Sequence, residues 1–526
     1  DCPADRVTRI IEPKKLADLG AVSVYDMGEN ISGYPVVAAT EDGAYITVRC
    51  SEEINADGTL NFDSCDPGQI QCDEYRNAKK GEECMPWFTW HGFRYFELTN
   101  NAKPVRCDVV HSDCAVTSAF ESDSEMLNWL YDAYIRTQLS NMHSGVPSDC
   151  PHIERLGYTG DGQLCCEAAM MLLDSQKFYQ KWLEDISDCQ STDNGHVQHT
   201  APFMGGGGGP AGWGGAIAVV PYEMYKIYGD RETFRRYLPK ILRYFDYLDS
   251  RSSGGLVCRE EQGGWCLGDW CTPEPIAICE PFVNTALCVK QMLMTKEAAE
   301  AIGEKETAQM LGRRIEEKRQ AILNAYYSPQ TGSFIGDVQG ANSFATDIGL
   351  GGERTYENTR KKYSAADSFD TGIFSTDILT RVLFERGDAN TAFRLLTSEG
   401  KGSFYNMKKQ GATTIWENWD GERSHSHPMF GAATRYLFSF ILGITQEKTS
   451  AGYEHILIAP QIPDGLNYAS GHITTVRGQI SVTFKRTESE ADFYVTVPQR
   501  ARFTYGSGCE FELRDGENHI HIDFEE

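Results

Sequence analysis

The chain has 526 residues, of which 41% are hydrophobic and 11% are aromatic. This is long enough for about three domains with sizeable cores, and too apolar for a disordered chain. Lysines and arginines number 49 against 75 aspartates and glutamates, which gives a formal net charge of −26. That balance argues against a nucleic-acid partner, because proteins bind nucleic acids largely through lysines and arginines that neutralise the phosphates. The longest apolar runs, such as Ala216–Pro221, fall short of the roughly 18 residues of a membrane-spanning helix.

The first region, residues 1–117, has the alternating pattern of β-strands. Residues 44–50 place apolar side chains at every second position, and residues 87–97 are rich in the aromatic side chains that favour strands. Turn-forming residues separate these runs at Ala56-Asp57-Gly58 and at Asp66-Pro67-Gly68. We therefore predict an all-β sandwich over this region.

Near Ser122 the spacing of apolar residues changes from that of β-strands to that of α-helices. Ser122-Asp-Ser-Glu125 matches a capping box, and Leu127, Leu130 and Tyr131 then fall on one helical face. The connections between the later helices are long and rich in Gly, Trp, Asp and Pro. This pattern favours a helical barrel with a catalytic mouth built from loops, over residues 118–445. The further helices are predicted at residues 163–174, 177–187, 215–228, 231–249, 281–302, 304–326, 371–386, 388–397 and 427–443.

The strand pattern returns in the last region, residues 446–526. Residues 478–485 and 491–497 again alternate between apolar and polar side chains. The sequence thus predicts a multidomain protein in which an all-α catalytic domain is flanked by all-β sandwich domains. No repeat of fixed period is evident, which disfavours a solenoid.

The cysteine content is unusual, with 17 in one chain. Because this number is odd, at least one cysteine cannot lie in an intramolecular disulfide. Cys165 and Cys166 are adjacent, and no Cys-x-x-Cys pair of a zinc site occurs. We predict reduced, mostly buried thiols in a reducing compartment. No signal peptide is recognisable at Asp1-Cys2-Pro3, and a cytoplasmic location is therefore expected.

The densest polar loop spans residues 148–161, Ser-Asp-Cys-Pro-His-Ile-Glu-Arg-Leu-Gly-Tyr-Thr-Gly-Asp. It places Asp149, Glu154, Arg155 and Asp161 between two predicted helices. At the mouth of a helical domain, such a loop is suited to hold a carboxylic acid beside a fixed cation. The alternative is a solvated loop whose carboxylates cap helices.

A second loop, residues 410–421, places Glu417 between Trp416 and Trp419, and Ser424-His-Ser-His-Pro428 follows. A partly apolar setting tunes the protonation of a carboxylate. Aromatic rings suit the apolar faces of sugars, and a pair of carboxylates is what glycosidic hydrolysis needs. The alternative is that Trp416 and Trp419 pack the core. Tryptophans recur in Gly-rich loops at residues 212–214 and 268–270.

Other motifs do not support a different chemistry. Gly205–Gly209 lacks the Gly-Lys-Ser/Thr of a phosphate loop, and no Gly-x-Ser-x-Gly nucleophile elbow occurs. His196-Val-Gln-His199 lacks the glutamate of a zinc-protease helix, which favours a loop or surface segment. We expect neither a cofactor nor a metal.

The two polar loops resemble the motifs of the inverting α-L-rhamnosidases of glycoside hydrolase family 78. That family typically reads Asp-Cys-Pro and then Glu-Arg-Leu-Gly-Trp-Thr-Gly-Asp, close to residues 149–161 here. Residues 268–270, 410–417 and 424–431 resemble later family motifs, and residues 25–30 and 88–95 resemble the preceding β domain. The resemblance covers nearly the whole chain. It implies an (α/α)6 barrel flanked by β-sandwiches and a carbohydrate or glycoside substrate.

The resemblance also implies roles for individual residues. Glu154 would be the general acid that protonates the leaving oxygen, and Glu417 the general base that activates water on the opposite face of the sugar. We expect the guanidinium of Arg155 to point toward Asp149 or Asp161. The substrate-binding residues implied by the motifs are Asp149, Arg155, Tyr158, Asp161, Trp213, Trp270, Trp416 and His427, with the aromatic ones forming a wall around the C6 methyl group.

Two departures from the family pattern bear on the sugar rather than on the reaction. Tyr158 stands where the family usually has Trp, and Gly214-Gly215 stands where it usually has Gly-Asp. One alternative is therefore an enzyme of the same scaffold acting on another deoxy or uronic sugar. Another is a carbohydrate-binding protein without catalysis, against which the presence of both Glu154 and Glu417 argues. Since family members usually carry a further β domain upstream, a fragment or short form is expected, and a homo-oligomer is left open.

Overall fold

The chain folds in the predicted order of β-strands, then helices, then β-strands. The computed structural model describes residues 1–65, 68–506 and 508–524, so the predicted turn at Asp66-Pro67 lies outside the described residues. The N-terminal strands are β1 (Asp5–Ile11), β2 (Lys14–Asp18), β3 (Val22–Ala39), β4 (Ala44–Ser51), β5 (Glu53–Ile54), β6 (Leu60–Asn61), β7 (Gln71–Ala78), β8 (Glu83–Cys84), β9 (His91–Thr99) and β10 (Ala102–Ser112).

The N-terminal strands form an antiparallel sheet in the order β1-β10-β3-β9-β4-β7, with β2 and β8 paired to β3. Side chains alternate across the sheet, so Ile46, Val48 and Cys50 of β4 are buried while Tyr45 is exposed. The buried faces build a hydrophobic core that is distinct from the core of the helical region. The predicted β region is confirmed.

The helical region opens with strand β11 (Ser118–Ser122). Some of its loops contain paired two-residue strands: β12 (Met142–His143) with β13 (Val146–Pro147), β14 (Ser252–Ser253) with β15 (Leu256–Val257), and β16 (Tyr327–Ser328) with β17 (Ser333–Phe334). The helices are α1 (Glu125–Ser140), α2 (Thr159–Leu172), α3 (Gln176–Asp188), α4 (Ala216–Tyr228), α5 (Arg231–Ser250), α6 (Glu280–Ala301), α7 (Lys305–Tyr326), α8 (Ala341–Asp347), α9 (Gly352–Ala365), α10 (Ile373–Glu385), α11 (Ala389–Leu396) and α12 (Phe404–Lys409), with a short 3-10 segment at Ile335–Gly340, another at Met429–Thr434 and a π turn at Leu437–Ile441.

The sequence pattern missed some helical elements and misplaced one cap. Ser124, not Ser122, caps α1 and accepts a hydrogen bond from the Leu127 N–H at 3.4 Å, because Ser122 ends β11. Helices α8, α9 and α12 were not predicted, since α9 for example buries only Thr and Tyr side chains and carries no aliphatic stripe. The continuous helix predicted over 427–443 is instead a 3-10 segment followed by a π turn. Within the described residues, no helix combines the length and apolarity that crossing a membrane requires.

Alternate helices pack against one another in a ring. Helix α2 contacts α4, α4 contacts α6, α6 contacts α8, and α8 contacts α10. The 3-10 segment Met429–Thr434 contacts both α10 and α2 and so closes the series. The two predicted site loops lead into α2 and into this closing segment, so the ring brings together motifs that are far apart in sequence.

The C-terminal region contains two sheets, in the orders β11-β20-β21-β22-β25 and β18-β19-β23-β24. Strand β11 precedes the helices but pairs with β20, so the first of these sheets is completed by a strand from the other side of the helical region. One hydrophobic core runs from the helices into these strands. The strands are β18 (Ile444–Gln446), β19 (Ile456–Ile458), β20 (Tyr468–Thr475), β21 (Gly478–Arg486), β22 (Glu490–Val497), β23 (Ala501–Tyr505), β24 (Cys509–Leu513) and β25 (Gly516–Asp523).

The thiols agree with the prediction of free, largely buried cysteines. The adjacent pair Cys165 and Cys166 lies in α2 with both side chains buried. The compartment stays a prediction. The buried free thiols are Cys50, Cys84, Cys107, Cys114, Cys150, Cys165, Cys166, Cys271 and Cys288.

Candidate active site

A cavity of about 540 Å³ opens among the loops of the helical region. The two polar loops singled out in the sequence both contribute to its wall, and the loop before α6 supplies most of the rest. The cavity therefore assembles most of the predicted site. The predicted residues that line it are Asp149, Glu154, Tyr158, Asp161, Trp213, Trp270, Glu417 and His427.

The first loop is folded back on itself before α2. The Asp149 N–H donates to the Leu156 carbonyl at 3.0 Å, and the Leu156 N–H donates to Oδ1 of Asp149 at 2.8 Å. Arg155 makes the reversal possible by adopting a φ of 56°, a left-handed conformation that is uncommon for a side chain other than Gly, Asn or Asp. These two hydrogen bonds of Asp149 close the loop, and the closed loop holds Glu154 in the cavity wall.

The second loop brings Glu417 beside His427. The Glu417 N–H donates to the Ser424 carbonyl at 2.9 Å, and the Ser424 N–H donates to Oε2 of Glu417 at 3.2 Å. The His427 N–H donates to the Ile415 carbonyl at 2.8 Å. As a result, Nδ1 of His427 lies 4.0 Å from Oε2 of Glu417.

The buried polar residues of the cavity shift one another's protonation. Burial raises the pKa of Asp149 to about 7. Burial alone would lower the pKa of His427, but the hydrogen bond with Asp161 and the charges of Glu417, Asp161 and Asp149 raise it to about 9. Near neutral pH, His427 is thus an imidazolium between two carboxylates, and Asp149 holds a proton in part of the molecules.

Arg423 is the cation that stands between the two candidate catalytic carboxylates. Its Nη2 lies 3.4 Å from Oε1 of Glu154, and its Nε lies 4.0 Å from Oε1 of Glu417. The Glu154 side chain is 30% exposed and that of Glu417 is 16% exposed. Burial and the neighbouring Glu154 carboxylate raise the pKa of Tyr158 above its usual range, so its hydroxyl remains a hydrogen-bond donor in the cavity.

The prediction for Arg155 is wrong. Its guanidinium does not point toward Asp149 or Asp161 but lies over the Trp90 ring of the N-terminal region, 4.1 Å from the ring centroid. One nitrogen also contacts the Thr89 hydroxyl at 3.4 Å. The reversal of the chain at Arg155 turns this side chain away from the cavity, and burial lowers the pKa of its guanidinium. Arg155 therefore joins the loop to the β region.

The assignment of Trp416 to the aromatic wall is also wrong. Trp416 is buried and stacks on the His425 ring, with centroids 4.1 Å apart. It lines a smaller cavity at the N-terminal region, beside Glu52 and Tyr95. Trp419 packs between aromatic side chains of the helical core. The alternative of core packing holds for both tryptophans, because neighbouring residues of an irregular loop point to different sides.

The aromatic wall consists of Tyr158, Trp213, Trp265 and Trp270. Trp213 is buried against Gly160 and Gly208, where a β-carbon would clash with its ring. A β-carbon at Gly215 would meet the Gln291 side chain, so the aspartate that the family usually has there does not fit this neighbourhood.

Trp270 is positioned by its neighbour Asp269. The carboxylate of Asp269 accepts hydrogen bonds from the N–H groups of Gly372 and Phe374, both at 2.9 Å, at the start of α10. Burial raises the pKa of Asp269 to about 6, against the lowering effect of these hydrogen bonds. Asp269 therefore caps α10 and fixes the loop from which Trp270 reaches the cavity.

Sequence reasoning missed Arg423 and Trp265. Arg423 immediately precedes the recognised segment 424–431, but nothing in the local sequence shows that it faces two distant glutamates. Trp265 follows Gly263-Gly264, and so repeats the pattern of tryptophans in Gly-rich loops noted at residues 212–214 and 268–270. That pattern was the available signal.

His196 and His199 lie in a loop, as predicted, but their side chains are buried rather than at the surface. The two side chains are 9% and 7% exposed, respectively. Gly195 allows this packing through a φ of 85° and a position against the backbone of Arg243 in α5, where a β-carbon would clash.

Three family models match the chain in the order of its structural regions. They are the bacterial alpha-L-rhamnosidase concanavalin-like domain at residues 18–116, the 6 hairpin glycosidase domain at residues 115–441 and the C-terminal domain at residues 443–504. The second of these covers more than half of the chain.

Relatives and solved structures agree with these models. An alpha-L-rhamnosidase of Streptomyces avermitilis is 29% identical over 99% of this chain and 53% of its own length, and one of Alteromonas sp. (strain LOR) is 27% identical over 90% and 54%. The Streptomyces avermitilis structure, complexed with L-rhamnose, superposes with a TM-score of 0.90 at 25% identity, over 99% of this chain and 54% of that chain. A Dictyoglomus thermophilum alpha-L-rhamnosidase shares the fold, with a TM-score of 0.90 at 22% identity over 99% and 64%.

The chain spans about half the length of the curated relatives it matches. The matching models cover all three of its regions, and eight of the ten site residues predicted from the sequence line a common cavity. The chain therefore belongs to the bacterial alpha-L-rhamnosidases of glycoside hydrolase family 78.

Proposed function

We propose that this chain hydrolyses the glycosidic bond of terminal α-L-rhamnosides by a single displacement with inversion at the anomeric carbon. The observation that carries the proposal is that Glu154 and Glu417 enter one cavity from separate loops and flank one guanidinium group. Hydrolysis with inversion needs two carboxyl groups on opposite sides of the scissile bond, one holding a proton and one able to take a proton from water.

In this mechanism Glu154 protonates the leaving oxygen and Glu417 activates the water. Glu417 suits the role of base because the Ser424 N–H and the His427 imidazolium orient its carboxylate. Because Nε and Nη2 of Arg423 belong to one planar group, these contacts place the two carboxylate oxygens within about 10 Å of each other. This upper bound admits the roughly 6.5–9.5 Å separation of inverting enzymes. Arg423 acts as a positioning residue for both.

The cavity also suits a deoxy sugar. Asp149, Asp161 and His427 offer hydrogen-bond partners for ring hydroxyls. Trp213, Trp270 and the neighbouring Ile373 offer an apolar surface for a methyl group in place of a hydroxymethyl group. The related Streptomyces avermitilis alpha-L-rhamnosidase is complexed with L-rhamnose, which supports this choice of sugar.

The proposed catalytic domain is an (α/α)6 barrel between β-sandwiches. The ring of contacts α2-α4-α6-α8-α10, closed by the segment Met429–Thr434, supports an inner layer of alternate helices. The match to a 6 hairpin glycosidase domain supports the same arrangement. The active site then lies at the mouth, where loops between the helices supply its residues.

The deciding experiment compares p-nitrophenyl α-L-rhamnoside with the corresponding α-L-fucoside, α-D-mannoside and β-D-glucuronide. We expect hydrolysis of the rhamnoside with a kcat/KM at least about 100-fold above the others, because a misplaced hydroxyl or carboxylate costs several kcal/mol in a built site. Preference for another sugar would overturn the proposed substrate while leaving the hydrolytic pair intact. Saturable binding of L-rhamnose without hydrolysis of any glycoside would indicate a binding protein instead.

A further inference from the structure

His196, His199 and Glu260 converge in a buried cluster outside the cavity. Nε2 of His199 lies 2.9 Å from Oε2 of Glu260, and Nε2 of His196 lies 3.5 Å from Oε1. The candidate ligand atoms all lie within 4.8 Å of one another. Each of these three residues is less than 10% exposed, and none of them lines the candidate active site.

The hydrogen bonds of the cluster leave one of its nitrogen atoms unsatisfied. Oε1 of Glu260 accepts from the Tyr247 hydroxyl and, at 3.0 Å, from the Glu261 N–H, while Oε2 faces His199. In the described part of the chain, buried Nε2 of His196 has no hydrogen-bond partner. A buried polar atom without a partner requires an explanation, and an ion or a water molecule is the usual one.

The ligand types of the cluster suit a small divalent cation. Two imidazole nitrogens and one carboxylate oxygen are a ligand set typical of Zn²⁺. With bonds of about 2.0–2.1 Å, tetrahedral ligands stand about 3.3 Å apart, and the two histidine nitrogens lie 2.9 Å and 3.5 Å from the two oxygens of Glu260. Nitrogen ligands also favour a transition metal over Ca²⁺ or Mg²⁺, which prefer oxygen. The Tyr247 hydroxyl donates a hydrogen bond to the Glu260 carboxylate, and such a bond orients a carboxylate that binds a metal ion.

The cluster joins two loops that form the wall of the candidate active site. His196 and His199 belong to the loop between α3 and α4, and Glu260 belongs to the loop before α6. The Thr159 N–H, next to Tyr158, donates to the His199 carbonyl at 2.9 Å. Beyond the cluster the same two loops meet again, where Trp265 packs on Gly207 and the Leu267 N–H donates to the Gly208 carbonyl at 3.3 Å.

We propose that His196, His199 and Glu260 bind a divalent transition-metal ion, Zn²⁺ by its ligand set, which cross-links these two loops. The ion has a structural role and touches no reacting atom. An ion that binds only the folded chain stabilises it in proportion to its occupancy. This inference does not depend on the proposed rhamnosidase activity.

The test uses the full chain, stripped with a chelator, dialysed and titrated with ZnCl₂ by calorimetry. We expect one tight equivalent per chain and a rise in the thermal unfolding temperature on adding Zn²⁺. In His196→Ala the affinity should fall at least about 100-fold, because loss of a mere supporting contact already costs about 10–100-fold. Since Nε2 of His196 makes no hydrogen bond in the described chain, this substitution removes no hydrogen bond of that atom.

A matched control comes from the largely exposed group Glu490, His521 and Asp523, whose ligand atoms are also close together. His521→Ala should retain the tight equivalent. If His521→Ala abolishes it, or if His196→Ala leaves it unchanged, the proposal is overturned. The absence of a tight equivalent in the unaltered chain would also overturn the proposal. Nε2 of His196 would then bind a water molecule or lack a partner.

Two further measurements exclude thiol binding and misfolding. Substitution by Co²⁺ should give ligand-field absorption without the sulfur-to-metal charge-transfer band that any of the 17 cysteines would produce. Anomalous diffraction at the zinc edge, from crystals of the unaltered chain, should locate the ion at His196 without the use of a variant. An ion found on cysteine sulfur instead would refute the assignment.

Discussion

Oδ1 of Asp161 and Nε2 of His427 lie 2.8 Å apart, although the two residues come from opposite ends of the helical region. Asp161 lies in the first turn of α2, and His427 follows the loop that carries Glu417. Because the pKa of His427 is raised to about 9, the contact is an ion pair near neutral pH. It ties the two recognised motifs together across the cavity and sets the position of the candidate base.

The ion pair predicts a pH-dependent contribution to stability. The folded pKa of His427, about 9, exceeds the roughly 6.5 of an unfolded histidine. Protonation therefore stabilises the fold fully below about pH 6.5, and this stabilisation is lost as the pH rises through 9; the shift corresponds to at most about 3 kcal/mol. His427→Asn should be clearly less stable than the unaltered chain at pH 6, with a much smaller difference at pH 9.5, by urea unfolding.

The control for this comparison is His455→Asn, at an exposed histidine outside the cavity. Its difference from the unaltered chain should be small at both pH values. A difference for His427→Asn that stays constant from pH 6 to 9.5 would contradict the ion pair, since the loss would then come from packing alone.

Replacing Glu154 by Gln should abolish turnover of substrates with poor leaving groups while leaving the fold intact. General acid catalysis is typically worth about 10²–10⁴-fold, and Gln cannot supply a proton. Aryl rhamnosides with strongly acidic phenols should lose much less, since their leaving oxygen hardly needs protonation. Steady-state kinetics over a series of aryl leaving groups measures this contrast. The control is Glu274→Gln, a matched change at an exposed residue of the same cavity, which should leave the rates of the whole series unaltered. An equal loss of rate for all leaving groups in Glu154→Gln would assign Glu154 to sugar binding.

The stereochemical course tests the role of Glu417. If Glu417 activates water, hydrolysis of an α-L-rhamnoside releases β-L-rhamnose first, and the α anomer appears only by mutarotation. If Glu417 were a nucleophile, two displacements would release the α anomer, and the carboxylates would stand about 5–5.5 Å apart. Proton NMR of the anomeric signals in the first minutes of reaction distinguishes the two outcomes.

Azide rescue of Glu417→Gly gives an independent test of the same role. In an inverting enzyme the small anion occupies the space left by the carboxylate and attacks from the water side, so the product should be the β-L-rhamnosyl azide. The product is identified by NMR after purification. Formation of the α azide would assign Glu417 to the nucleophile instead.

The contact between Arg155 and Trp90 should contribute to stability rather than to sugar binding. A guanidinium over a tryptophan ring is worth about 0.5–2 kcal/mol, depending on how far it is desolvated. A double-mutant cycle of Arg155→Ala and Trp90→Leu, measured by urea unfolding, should give a coupling of this size. If Arg155→Ala instead raises KM for the aryl rhamnoside with no change in stability, the role implied by the family motif would be correct.

Local sequence was sufficient for the order of the regions and for most of the predicted site residues that the cavity brings together. The change from alternating to helical periodicity marks where β-strands give way to helices, because these periods follow from backbone geometry alone. Glu154, Glu417 and Asp161 were identified from motifs, since a motif fixes the residue type and its immediate neighbours. Helix α9 was missed because it buries no aliphatic stripe.

Only the tertiary structure decided which way individual loop side chains point. Arg155 follows Glu154 in sequence, yet its left-handed backbone turns it to Trp90 in another region. The cation beside Glu154 is Arg423 of the second loop, not a cation of the first loop as the sequence suggested, and it also faces Glu417. His196 and Glu260 meet because the loop before α4 and the loop after α5 lie side by side. In irregular segments no period fixes the direction of a side chain, so long-range packing between distant segments determines it.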